Sequence, residues 1–467
     1  MSPVSEPSFL SSLSELALRL QRRELSPVEV VEKQLERIGS LQPSLHAYAT
    51  LLPDAALQDA RRAESEIAGG RYRGPLHGVP VGVKDLCATK GVRTAAGTRV
   101  MRERVPDHDA TVVERLREAG AVLLGKLELT EGAFGDHHPD IEAPRNPWDP
   151  TRWTGVSSSG SGVATAAGLC FGSLGSDTGG SIRFPSACCG VVGVKASYGR
   201  VPLYGVFPLA HSLDHVGPMA RRTQDCAHLL GALAGFDPRD PTSRREPVPD
   251  YAAAIEDGVA AVRIGVDEAY VTDGVSPDVS QAVLSGLRVL EAQGAELVQL
   301  RMPAMDELLA AWLPMCAVEC ALAHEATFPA RAHEYGPLRG LLERGASVTG
   351  AEYARGNDLR RAFAGELAGL FEDVDLIGLP SFLSPAPSLE VMALATGEVP
   401  GALLRFTAPF DFSGSPTISL PCGLSEDGLP LSLQLVGRHL EESLLLRAGH
   451  AFERATDFHT LHPVLAG

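Results

Sequence analysis

Residues 154–183 read TGVSSSGSGVATAAGLCFGSLGSDTGGSIR. The run opens on a serine cluster, passes through small residues only, and ends in Gly179-Gly180 followed directly by Ser181, Ile182 and Arg183. It is too rich in glycine for an ordinary helix and too ordered in its layout for a flexible linker. Within Asp177-Thr178-Gly179-Gly180-Ser181 the glycine pair lets the backbone take positive φ and approach a bound group, so that successive N–H groups converge on one point. A serine at that point can attack a carbonyl while the N–H groups hold the oxyanion, which makes Ser181 the candidate nucleophile. Read alone, Gly-Gly-Ser is also common turn chemistry, a tight turn with a capping serine.

Two further elements change that balance. Upstream lies Ser157-Ser158-Ser159, and further upstream Gly78-Val79-Pro80-Val81-Gly82-Val83-Lys84-Asp85 ends a short apolar run on a lysine. A strand that carries a lysine into a dry pocket disfavours its ammonium form, and a neutral lysine can act as a base. Together the three elements resemble the amidase signature family. There a lysine follows a G-[VI]-P-x-x-x-K-D strand, then come a P-G-G-S-S-G-G-S cluster and a G-T-D-x-G-G-S-I-R run. Here the same places hold Lys84, Thr154-Gly155-Val156-Ser157-Ser158-Ser159-Gly160-Ser161 and Gly175-Ser176-Asp177-Thr178-Gly179-Gly180-Ser181-Ile182-Arg183.

The resemblance implies an α/β protein with the amidase-signature fold, a central mixed β-sheet covered by helices on both faces. It also implies a Ser-cisSer-Lys triad. Ser181 would form the acyl-enzyme, Ser157 on a cis peptide bond would relay the proton, and Lys84 would be the base. The N–H groups around Thr178, Gly179, Gly180 and Ser181 would form the oxyanion hole, with Asp177 and Arg183 bracing the loop and Ser158 in support. Ala133 and Phe134 would sit near the acyl group. The chain departs from the pattern at Val156 and Ser159, where the family usually has glycine, and a β-branched Val156 crowds the bond before Ser157.

Composition bounds the rest. The 467 residues carry a net charge of −17 and show no basic block or aromatic-basic patch, which argues against direct contact with a nucleic-acid backbone. The eight cysteines are scattered through apolar segments without CxxC or zinc spacing, so neither a metal nor any other cofactor is expected. Cys188-Cys189 read as small buried residues of a strand rather than as a thiol nucleophile. Residues 1–20 lack a basic start followed by an apolar run, and no stretch of about 18 apolar residues occurs, so the expectation is a cytoplasmic protein with no membrane span.

Along the chain, residues 8–39 read as two helices, the second capped by Ser26 with Pro27 at its first position. Residues 54–68 read as a helix and 79–84 as the strand that carries the lysine. A helix starting at Thr111, a stop at Gly120 and a strand at 121–124 give the strand–helix–strand rhythm of a covered sheet. Residues 126–148 read as loop; there His137 and His138 beside Asp136 and Asp140 read as solvent-facing side chains in preference to a metal cluster. Residues 161–170 read as a helix of small residues, 187–195 as a core strand, 263–266 and 295–300 as strands, 301–370 as mostly helical, and 415–436 as a hairpin turning at Asp427-Gly428. A last helix covers 444–455.

The whole is expected to form one amidase domain over 1–467: N-terminal helices to residue 65, the signature core over 66–235, a variable and largely helical region over 236–370, and a closing hairpin and helix over 371–467. Two other catalytic readings fail on pattern. Ser181, Asp214 and His215 fall in hydrolase order, but no G-x-S-x-G surrounds Ser181. Gly175 and Gly180 have phosphate-loop spacing, but Ser181 stands where the lysine belongs. The expected function is hydrolysis of a small-molecule carboxylic amide. Its rivals are the glutaminase subunit of a tRNA-dependent amidotransferase and an inactive scaffold on the same fold. Phe184, where such subunits usually have glutamine, favours the stand-alone amidase. A homodimer is a family-level expectation.

Overall fold

The computed structural model describes residues 9–394 and 401–465; residues 1–8, part of the stretch read for a signal peptide, lie outside them. Eleven strands form one sheet among the described residues: β1 (Tyr48–Leu51), β2 (Pro80–Lys84), β3 (Val122–Leu127), β4 (Gly172–Asp177), β5 (Val192–Lys195), β6 (His215–Ala220), β7 (Arg263–Val266), β8 (Glu296–Gln299), β9 (Leu376–Pro380), β10 (Thr417–Leu424) and β11 (Pro430–Gly437). Their order is β1-β3-β2-β4-β6-β5-β10-β11-β9-β7-β8. The sheet is mixed. β3, β2 and β4 run parallel, as do β9, β7 and β8, and the pairs from β4 through β6, β5, β10 and β11 to β9 are antiparallel.

Both faces of the sheet are covered. Along β3, Val122 and Leu124 pack into one apolar core with Val31, Ile38 and Val163, while Leu123 packs into the other with Val112 and Leu116. This is the two-residue alternation of a strand buried on both sides. The crossover from β2 to β3 passes through the helix Thr111–Glu118, which lays its buried Val112, Val113 and Leu116 on the sheet. The second N-terminal helix, Pro27–Leu45, is capped by Ser26, whose hydroxyl accepts from the N–H groups of Val28 and Glu29.

Two expectations need correction, and two central strands went unread. Residues 187–195 are not one strand: the helix Arg183–Cys189 ends at Gly190 in the left-handed conformation, and only Val192–Lys195 is extended. Cys188 and Cys189 are buried as expected, but on a helix. A run of alanine, cysteine and glycine carries no period that separates the two, and the terminating glycine decides. The strands β4 and β6 were not recognisable as such, because GSLGSD and HVGPMA lack β-branched alternation. They are nonetheless central, and the entirely buried helix Ser159–Ala166 packs on β4. The second correction concerns the loop: His137 is half-buried and His138 buried, so neither faces solvent as the loop reading had it.

Candidate active site

The parallel strands β2, β3 and β4 deliver their C-terminal ends to one edge of the sheet, the usual location of a site in such an arrangement. Lys84 is the last residue of β2, and Ser176 and Asp177 close β4. Lys84 is 0 % exposed, and its Nζ donates to Ser157 Oγ at 2.7 Å, Ser158 Oγ at 2.8 Å and Ser176 Oγ at 2.8 Å. Burial pushes its ammonium down to about 7, against the partial pull of Cys87, Asp177 and Asp214. The Ser158 hydroxyl donates to the Ser176 carbonyl at 3.1 Å.

The Val156–Ser157 peptide bond is cis, as the resemblance implied. The Ser158 N–H donates to the Ser181 carbonyl at 3.3 Å, which ties the serine cluster to the glycine turn. Ser181 itself is half-buried and lines a cavity of about 580 Å³. No hydrogen bond joins the Ser157 and Ser181 hydroxyls in this arrangement.

Asp177 organises the turn. Its Oδ1 accepts from the Gly180 N–H at 2.6 Å, and its Oδ2 from the N–H groups of Ile182 at 2.9 Å and Arg183 at 3.3 Å. The Arg183 guanidinium, 0 % exposed, donates from Nε to Asp177 Oδ2 at 3.0 Å and from Nη2 to Asp177 Oδ1 at 2.8 Å and Asp411 Oδ2 at 2.6 Å. Burial opposes ionisation of Asp177, but the Arg183 charge prevails and holds the carboxyl well below the usual range. Of the four N–H groups named for the oxyanion hole, that of Gly180 is therefore engaged by Asp177, while among the described residues those of Gly179 and Ser181 have no partner.

Ala133 and Phe134 line the same cavity, and so do Val156, Gly179 and Phe184. The two departures acquire places here. Val156 forms part of the wall, and Ser159 Oγ hydrogen-bonds His137 Nε2 at 2.9 Å, whose burial pushes that imidazole down to about 4. Sequence reasoning missed Trp153 and Trp312 in the lining, and Thr407, Asp411 and Gln434 behind the turn. A tryptophan directly before Thr154 was a usable signal, whereas nothing in the 301–370 pattern set Trp312 apart.

The competing hydrolase triad does not assemble. Asp214 accepts from the Thr178 hydroxyl and from the N–H groups of Leu209 and Ala210, and His215 Nδ1 donates to the Leu213 carbonyl at 2.7 Å. Among the described residues no group of three or more histidine, cysteine, aspartate or glutamate side chains could hold a metal ion.

The chain is 48 % identical over 455 residues to the Mycobacterium tuberculosis protein named "Putative amidase AmiD", covering 97 % of this chain and 95 % of that one. It is 38 % identical over 477 residues to a glutamyl-tRNA(Gln) amidotransferase subunit from Chloroflexus aggregans, covering 95 % and 96 %. Among solved structures, 6-aminohexanoate cyclic dimer hydrolase with its substrate superposes with a TM-score of 0.89 at 29 % identity, over 98 % of this chain and 99 % of that one. The peptide amidase of Stenotrophomonas maltophilia superposes with a TM-score of 0.84 at 28 % identity, over 97 % and 98 %. The Amidase family model matches residues 29–446, and the chain is an amidase of the amidase signature family.

Proposed function

We propose that this amidase cleaves a small-molecule carboxylic amide through an ester on Ser181, with Ser157 as proton relay and Lys84 as base. The observation that carries the reading is the Lys84 amine, fully buried and 2.7 Å from Ser157 Oγ, beside a cavity that Ser181 lines. The Ser158 hydroxyl proton is committed to the Ser176 carbonyl, whereas among the described residues the Ser157 hydroxyl is hydrogen-bonded to Lys84 alone, so a neutral Lys84 can take its proton. Neutral Lys84 takes the Ser157 proton as Ser157 takes that of Ser181, and Ser181 Oγ bonds to the amide carbon. The N–H groups of Gly179 and Ser181 receive the oxyanion. The C–N bond then breaks, the leaving amine takes a proton back along the same relay, and water hydrolyses the ester. No metal or organic cofactor enters these steps.

The cavity wall beside Ser181, with Phe134, Val156, Phe184 and Trp312, suits an apolar or aromatic amide. The reading takes residues 1–467 as one amidase domain, supported by a single sheet that draws strands from residues 48 to 437. It places the enzyme in the cytoplasm, since all eight cysteines are free and buried, as a reducing compartment favours.

The test is an intact-mass spectrum after treatment with a fluorophosphonate, followed by an ammonia- and amine-release screen. One adduct on the wild type and none on Ser181→Ala supports the nucleophile; an adduct on both refutes it. A second reading, the glutaminase subunit of a tRNA-dependent amidotransferase, draws on the 38 % identity to one amidotransferase component. The side chains that favour the first reading are the apolar ones of the wall, Phe134, Val156, Phe184 and Trp312, whereas Asp136, Glu343 and Arg344 of the same cavity are the groups that a glutamine ammonium and carboxylate would need. Ammonia release from glutamine together with copurifying partner subunits would establish that reading instead.

A further inference from the structure

The glycine turn is held from outside itself. Its three peptide units run from Thr178 to Ser181, and each carbonyl has a partner: Thr178 O accepts from Trp312 Nε1 at 2.9 Å, Gly179 O from the Thr407 hydroxyl, and Gly180 O from the Phe184 N–H at 2.7 Å. In a trans peptide the C=O and N–H of one unit point in opposite directions, so fixing a carbonyl aims the next residue's N–H. The middle unit is pinned at both ends, because the Gly180 N–H is held by Asp177. The outer two units leave the N–H groups of Gly179 and Ser181 without partners, in residues that line the cavity.

Two of the three clamps come from far along the chain. Trp312 lies on the helix Asp306–Ala323, buried, with its ring stacked on Phe134 at 6.3 Å. It sits so close to the turn that a Cβ added at Gly179 would come within 2.6 Å of it, so a side chain there would push the clamp away. Thr407 precedes the helix Ala408–Phe412 and is itself secured: its carbonyl accepts from Arg183 Nη1 at 2.8 Å, and its N–H donates to Leu404 O at 3.0 Å.

We infer that Trp312 and Thr407 are positioning residues of the oxyanion turn: Trp312 sets the peptide unit that aims the Gly179 N–H at the developing oxyanion, and Thr407, with Asp177, holds the middle unit that separates the Gly179 and Ser181 donors. This rests on Ser181 being the nucleophile. Neither residue touches the reacting atoms. Their effect belongs to the chemical step, because a donor misplaced by about 1 Å can cost on the order of 10²-fold in rate while the rest of the cavity still binds.

The test is the rate of fluorophosphonate labelling at Ser181, resolved into kinact and KI. In that reaction Ser181 Oγ bonds to phosphorus, fluoride leaves with the P–F electron pair, the serine proton passes to the relay, and the phosphonyl oxygen occupies the oxyanion position. Thr407→Val and Trp312→Phe are each expected to lower kinact by about 10- to 100-fold with the pH midpoint of labelling unmoved, and Thr407→Val, which lies behind the turn, with KI unchanged as well. Thr407→Ser, which keeps the hydroxyl, is expected to retain the wild-type rate. Circular dichroism establishes that each variant is folded, and either single variant suffices if the other is not. Wild-type kinact in Thr407→Val and Trp312→Phe overturns the positioning role, as does an equal fall in Thr407→Ser or a loss seen only in KI. Labelling that persists in Ser181→Ala overturns the nucleophile assignment and the positioning role with it. Labelling lost in Ser181→Ala but unchanged in the Thr407 and Trp312 variants overturns the positioning role alone.

Discussion

Lys84 shows how much of the chemistry is set by one side chain's surroundings. Three serine oxygens within 2.8 Å suit an ammonium group, while complete burial works against it, and the balance leaves the amine able to gain or lose its proton near neutrality. On the proposed relay, Ser157→Ala removes the group that passes the Ser181 proton to Lys84, and is expected to slow labelling of Ser181 by about 10²- to 10⁴-fold, measured by intact mass against time. Ser159 plays a different part. Among the described residues its hydroxyl meets only His137, so Ser159→Gly is expected to leave labelling unchanged and to lower stability by about 1 kcal/mol, read from urea denaturation. At this scale the sequence was most informative: the three motifs that carry Lys84, Ser157 and Ser181 converge at one edge of the sheet. Trp312 and Thr407 were not legible, because their role is a direction imposed on another residue's carbonyl, and no local pattern encodes that.

The elements that hold the turn are joined by buried charge. Arg183 sits between Asp177 and Asp411, all three 0 % exposed, and links the start of one short helix to the segment around Thr407 and to Gln434 on β11. Arg183→Leu would remove the guanidinium that both buried carboxyl groups hydrogen-bond and is expected to cost about 3–5 kcal/mol, seen as a lower urea midpoint or as failure to fold. The elements also explain what was read and what was missed. The helix Thr111–Glu118 and the β10–β11 hairpin have clear periods and turn residues, so they could be recognised. β4 and β6 could not, since GSLGSD breaks its apolar pattern with glycine and serine and HVGPMA breaks its own with glycine and proline. Periodicity reports side chains facing a core, and here backbone faces backbone.

The whole molecule brings together residues far apart in sequence: β2 and β4 bring Lys84 against Ser176, and the helix Asp306–Ala323 adds Trp312 to a turn near residue 180. Its net charge of −17 opposes a nucleic-acid backbone, so the isolated chain is expected to bind tRNA no more tightly than about 10⁻⁴ M at physiological salt, checked by fluorescence anisotropy. The central claim, that a neutral Lys84 activates Ser181 through Ser157, is tested most directly by the pH dependence of fluorophosphonate labelling at Ser181. Depression of the lysine by burial means that the amine is neutral above its midpoint and protonated below it. The labelling rate should therefore rise with pH through a single midpoint near 7 and fall on acidification. A rate that stays flat from pH 5 to pH 9, while the adduct still maps to Ser181, would contradict it.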